Sequence, residues 1–221
     1  MVLSHIGHTD NFLQMASSSG QLSHQSSFWK NMKEFPPVID GRIHFVSFLE
    51  AANDLISLVE RLGKVFVPVK YDMQGNIDKV KKHYQYDEAS CLLELMLDEY
   101  SRGKLNALEG ILWLNRAFLF FELAFQEIIK CLQSGNYDIN MAKIFTVAYE
   151  GSVKKYHNWV TQQIFFFICK MSPSLLQLLK SLEVDSDMKT FETKLVQFNI
   201  TLHLNRCKID DFFKDHQLFE D

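Results

Sequence analysis

The chain has 221 residues, 47% of them apolar, with 19 Phe and a formal net charge of −4. That apolar share is enough for one packed domain and excludes wholesale disorder. The slightly acidic balance excludes a general nucleic-acid binder.

Residues 1–34 are polar and rich in Ser, Gln and His, with Ser17-Ser18-Ser19-Gly20 at their centre. They read as a disordered extension ahead of a folded domain over 35–221, with Phe28 and Trp29 able to dock back on it. Met1 to Met15 has no basic start and no continuous apolar core, so no secretory signal is expected. Pro36-Pro37 marks the start of structure.

Helical spacing then begins. Phe45, Phe48, Leu49, Ala52, Leu55, Ile56, Val59 and Leu62 recur at three- and four-residue steps, and Gly63 ends this first helix. Pro68 suits the first turn of a second. Asp87 is the expected N-cap of a third, which turns Leu92, Leu95 and Met96 inward. Asn106 is the expected cap of a fourth, from about Ala107 to Leu132. It is apolar on nearly every side and so should lie between other helices, closed by Gly135. A fifth covers about Asn140 to Tyr149 and a sixth about Val153 to Met171. Ser172-Pro173 opens a short seventh, and the last starts near Asp187 and runs to about Phe213. Strand-like alternation is lacking. The expected class is all-α, in two stacked layers of about eight helices.

Cys91, Cys131, Cys169 and Cys207 are scattered, with no CxxC and no His at metal spacing. They read as buried free thiols in a reducing compartment. No apolar run approaches the ~18 residues of a membrane-spanning helix. Asn199-Ile200-Thr201 fits a glycosylation sequon that a cytosolic chain would leave unused.

The chemistry concentrates in Asp72-Met73-Gln74-Gly75-Asn76-Ile77-Asp78-Lys79. Asp72, Asn76 and Lys79 stand at i, i+4 and i+7, one face of a helix. A carboxylate, an amide and an ammonium in one stripe can accept from and donate to several hydroxyls of a polyol such as a sugar. The same trio also suits a plain solvated face. Lysines around this stretch and over 151–170 fit an anionic membrane surface as readily as ordinary solvation. Trp113 is either a core aromatic or a plate for the apolar face of a sugar ring. Arg116, one turn on, could buttress Asp72 or close the site. His157 is either a satisfied core or rim histidine or a ligand-facing group. Nucleophile elbow, phosphate-cradling loop, HExxH and dinucleotide fingerprint are all missing, so no catalytic residue is assigned.

Several of these segments together resemble the glycolipid transfer protein family. They are Phe48-Leu49-Glu50-Ala51, Leu62-Gly63-Lys64-Val65-Phe66-Val67-Pro68-Val69-Lys70, the Asp72–Lys79 stretch, Leu112-Trp113-Leu114-Asn115-Arg116 and Tyr156-His157-Asn158-Trp159. Their order and spacing fit along about residues 40–215. The resemblance implies a monomeric helical sandwich with a surface sugar site and an apolar tunnel behind it. It implies that Asp72, Asn76 and Lys79 hydrogen-bond the first sugar and that Trp113 stacks on it. His157 would grip the ceramide amide carbonyl while Asp72 takes the amide N–H, and Trp159 would lie near the membrane. The implied ligand is a glycosphingolipid, exchanged at the cytosolic face of membranes by transient contact, without covalent chemistry, cofactor or nucleic acid. Ceramide-1-phosphate carriers, the phosphate-reading relatives, have Arg at the positions of Trp113 and Glu109, which favours a neutral headgroup here. A phosphosphingolipid carrier and a glycolipid-sensing adaptor remain the alternatives. Asn115 departs from the family's usual basic residue, and Asp215–Asp221 lacks its aromatic ending.

Overall fold

A 29-residue helix, Asn106–Ser134, runs through the middle of the molecule. In chain order the α-helices are α1 (Phe28–Asn31), α2 (Phe45–Arg61), α3 (Val67–His83), α4 (Leu92–Ser101), α5 (Asn106–Ser134), α6 (Met141–Glu150), α7 (Trp159–Lys170), α8 (Leu175–Ser181) and α9 (Met188–Asp215). The computed structural model describes residues 28–184 and 187–219, so the disorder expected of 1–27 lies outside the described residues. The class is all-α in two layers, as the spacing predicts, and α5 packs against α3, α4, α6 and α9. Leu108, Ile111, Leu114, Phe118, Phe121 and Phe125 are buried along it, which explains its apolar circumference. Gly135 closes it at φ +69°, a left-handed geometry that glycine adopts without strain. Phe35, Phe48, Phe118 and Phe198 meet edge to face with centroids 5.2–5.9 Å apart.

Four expectations are corrected. Residues 28–34 are not extension: Trp29 docks back on the domain as expected, buried and meeting Phe191 edge-on at 5.4 Å, and Met32 is buried with it. Two large apolar side chains outweigh the polar composition around them, and α1 makes a ninth helix among the described residues. Asp87 caps a turn rather than α4, accepting from Ala89 N–H at 3.0 Å and from the Ser90 hydroxyl. Asn106 does not cap α5; the buried Glu99 reaches across from α4 and accepts from the Ala107 and Leu108 N–H groups, each at 2.9 Å. The expected sixth helix is broken. Val153–Tyr156 is a 3-10 turn, His157 is extended (φ −90°, ψ 137°), and Asn158 then caps α7 by accepting from Thr161 N–H at 2.9 Å. Gln162 fixes the break by donating to the Lys154 and His157 carbonyls at 3.1 and 2.9 Å.

All four cysteines are free, but only Cys91 and Cys169 are buried; Cys131 and Cys207 are half-buried. Asn199 and Thr201 are buried on α9, so their sequon is inaccessible in the folded chain. Among the described residues no single helix is long and apolar enough to cross a membrane.

Candidate functional site

The α3–α5 crossing builds the site. At Gly110 the two backbones come so close that an added Cβ would lie 3.1 Å from the Asn76 carbonyl oxygen and 3.2 Å from Val80 Cγ2. A side chain there would be crowded against the Asn76 backbone, so the close crossing favours glycine. This approach lays the Asp72 stripe of α3 beside the Trp113 face of α5.

Asp72, Trp113 and His157 share the lining of one cleft of about 280 Å³. Its deeper walls are Met73, Phe120, Phe121, Phe165 and Ile168. A wholly apolar void of about 30 Å³ lies beyond, sharing Phe121 as a wall and reaching Trp29 and Leu195. A polar mouth before an apolar interior is the form of a site for an amphiphile.

The carboxyl of Asp72 has no hydrogen bond among the described residues, although its edge of α3 is exposed. Burial of the group pushes its pKa up from 3.8, and His157 pulls it the other way. Burial likewise holds His157 below its usual 6.5, opposed by Asp72, which favours the neutral imidazole. Its Nδ1 lies 3.0 Å from the Tyr149 hydroxyl. The His157 and Trp113 rings are 18° from parallel, centroids 6.5 Å apart. Trp113 is half-buried, at the cleft rather than in the core.

Asn76 and Lys79 lie outside the cleft lining, further along the same stripe. The Asn76 amide donates to the Asp72 backbone carbonyl at 2.9 Å, and Lys79 forms an ion pair with Glu109. Arg116 backs the indole instead of Asp72. Its guanidinium sits 4.8 Å from the Trp113 ring centroid and 3.5 Å from that of Tyr156. Trp159, at the start of α7, is 72% exposed and stands apart from the cleft. Sequence reasoning missed Tyr149, Thr161 and the Lys79–Glu109 pair. Tyr149 gives no local signal because the end of α6 and a 3-10 turn separate it from His157.

The family model for glycolipid transfer proteins matches residues 43–184. The chain belongs to the glycolipid transfer protein family. A glycolipid transfer protein of Aureobasidium melanogenum is 32% identical over 140 residues, 62% of this chain and 67% of its own. Pleckstrin homology domain-containing family A member 8 of Canis lupus familiaris is 25% identical over 246 residues, 98% of this chain. The chain spans only 46% of that relative's length. In three dimensions the chain is similar to FAPP2, a protein that selects simple glycosphingolipids using this fold. The TM-score is 0.76 at 24% identity, over 88% of this chain and 98% of the other. That likeness establishes the glycolipid transfer protein fold, and the family match covers the α3 stripe, Trp113 and the His157 break together.

Proposed function

We propose that this chain binds a glycosphingolipid and moves it between membrane surfaces as a monomeric, non-enzymatic carrier at their cytosolic face. The observation that carries the reading is the meeting of Asp72, Trp113 and His157 at the polar mouth of an apolar cleft. The first sugar lies on the Trp113 indole, with Asp72, Asn76 and Lys79 reading its hydroxyls. Hydrogen bonds to charged partners contribute about 1.5–3 kcal/mol each, and a headgroup lacking a hydroxyl would strand one of them. His157 and Asp72 take the amide carbonyl and N–H of the ceramide. Its hydrocarbon enters past Phe121, where each buried CH₂ contributes about 0.8 kcal/mol and offsets extraction from the bilayer.

The headgroup is neutral. The Lys79 ammonium is already shared with Glu109, and Asp72 adds a second acid, so an anionic phosphate would meet two carboxylates. Arg116 is engaged with the rings of Trp113 and Tyr156. Membrane contact falls to α7, where Trp159, Val160, Ile164, Phe166 and Phe167 are exposed beside Lys154, Lys155 and Lys170.

Transfer of fluorescent glucosylceramide between vesicles tests the reading, with ceramide-1-phosphate run in parallel. The carrier reading requires transfer of the glucosylceramide. Transfer of the phosphate lipid alone replaces it with the phosphosphingolipid reading, and tight binding without transfer with the sensor reading.

A further inference from the structure

A neutral imidazole carries a single ring proton, on either Nδ1 or Nε2, and only one arrangement at His157 can donate to a carbonyl in the cleft. Tyr149 occupies the Nδ1 side. It is 3% exposed, and its ring is stacked on Phe165 with centroids 4.1 Å apart and planes 10° from parallel. Phe165 is also a wall of the cleft and lies 5.9 Å from the His157 ring. The phenol is therefore fixed in place, with its oxygen 3.0 Å from Nδ1.

The direction of that hydrogen bond follows from what else is within reach. Among the described residues His157 Nδ1 is the hydrogen-bond partner of the Tyr149 hydroxyl. If Nδ1–H donated to it, the phenolic proton would be buried with no acceptor, an arrangement proteins avoid. If the phenol donates, every proton is placed. Burial, helped by the nearby Cys169 thiol, pushes the phenol up to about 12, so it keeps its proton at neutral pH.

We propose that Tyr149 is a positioning residue: its hydroxyl donates to His157 Nδ1 and so holds the ring proton on Nε2, which faces the cleft as donor to a lipid amide carbonyl. This rests on the glycosphingolipid reading for the identity of the carbonyl, but not for the tautomer. The same reasoning makes Tyr149 a determinant of binding that never touches the ligand.

The test is nitrogen NMR of the unliganded full chain with ¹⁵N-labelled histidine. His157→Gln identifies the His157 signals among the eight histidines. The expected result at pH 7.5 is protonated Nε2 and bare Nδ1; protonated Nδ1 would overturn the proposal without any variant being made. Tyr149→Phe keeps the stacked ring and removes the hydroxyl. It should shift His157 toward a mixture of tautomers and lower glucosylceramide transfer about five-fold, the scale of one neutral hydrogen bond. An unchanged tautomer in Tyr149→Phe also overturns the proposal, and so does a shifted tautomer with undiminished transfer. If the unmutated protein carries no glycosphingolipid, the ligand reading fails, while the NMR still decides the tautomer.

Discussion

The Trp113 and His157 rings face one another at 18° across the cleft mouth, one on the central helix and one on the break ahead of α7. Neither element could place both. Trp113→Ala should cut glycolipid transfer at least ten-fold. Because the indole is half-buried, the stability loss in urea should be about 1–3 kcal/mol, below the ~3–5 kcal/mol of a fully buried aromatic. Loss of stability with normal transfer would assign the ring to packing alone.

Asp72 holds a carboxylate where burial disfavours its charge. Its folded pKa lies above the unfolded value. The group therefore supports folding below about pH 3.8, and that support is lost as pH rises through the folded pKa. Above it the charged form weighs against the unliganded fold, and His157, favoured in its neutral form, gives little relief at pH 7. Asp72→Asn should accordingly raise the melting temperature of the unliganded protein at pH 7, with the gain vanishing near pH 3.5. Glycolipid transfer should fall at the same time. A variant less stable at pH 7 would refute this.

Gly110 sets the distance between α3 and α5. Gly110→Ala places a methyl against the backbone of Asn76, which has no flexible end to give way. Despite the better helix propensity of Ala, about 1 kcal/mol over Gly, the variant should be less stable. Transfer should fall further than stability does, because Asp72 shifts relative to Trp113. A neutral or raised melting temperature would show that the crossing relaxes freely.

Trp159 is expected to act at the membrane and not at the cleft. Trp159→Ser should leave binding of detergent-dispersed glycolipid within two-fold and slow vesicle-to-vesicle transfer several-fold, since an exposed ring contributes to partitioning rather than to folding. Equal losses in both assays would move Trp159 into the ligand site.

Much of this arrangement was legible in residue spacing. The i, i+4, i+7 stripe needs only a regular helix to bring Asp72, Asn76 and Lys79 to one face, and α3 supplies it. The apolar circumference of α5 announced its central place. What stayed hidden depends on partners distant in sequence. Glu99 replaces Asn106 at the head of α5 because a carboxylate from α4 reaches two N–H groups, which no local pattern reveals. The break at His157 rests on Gln162 and Asn158 hydrogen-bonding back to the chain, whereas apolar spacing alone reads straight through it. Glu109 appeared only as a repulsive charge, while the fold makes it the counter-ion of Lys79.

The cleft of about 280 Å³ and the wholly apolar void of about 30 Å³ are divided by the Phe121 ring, which walls both. On the carrier reading proposed above, a lipid tail longer than the cleft would have to displace Phe121 to reach the void beyond it. On that reading, loading would expand the interior around the Phe121 ring, and release would let the same side chains close over the space again.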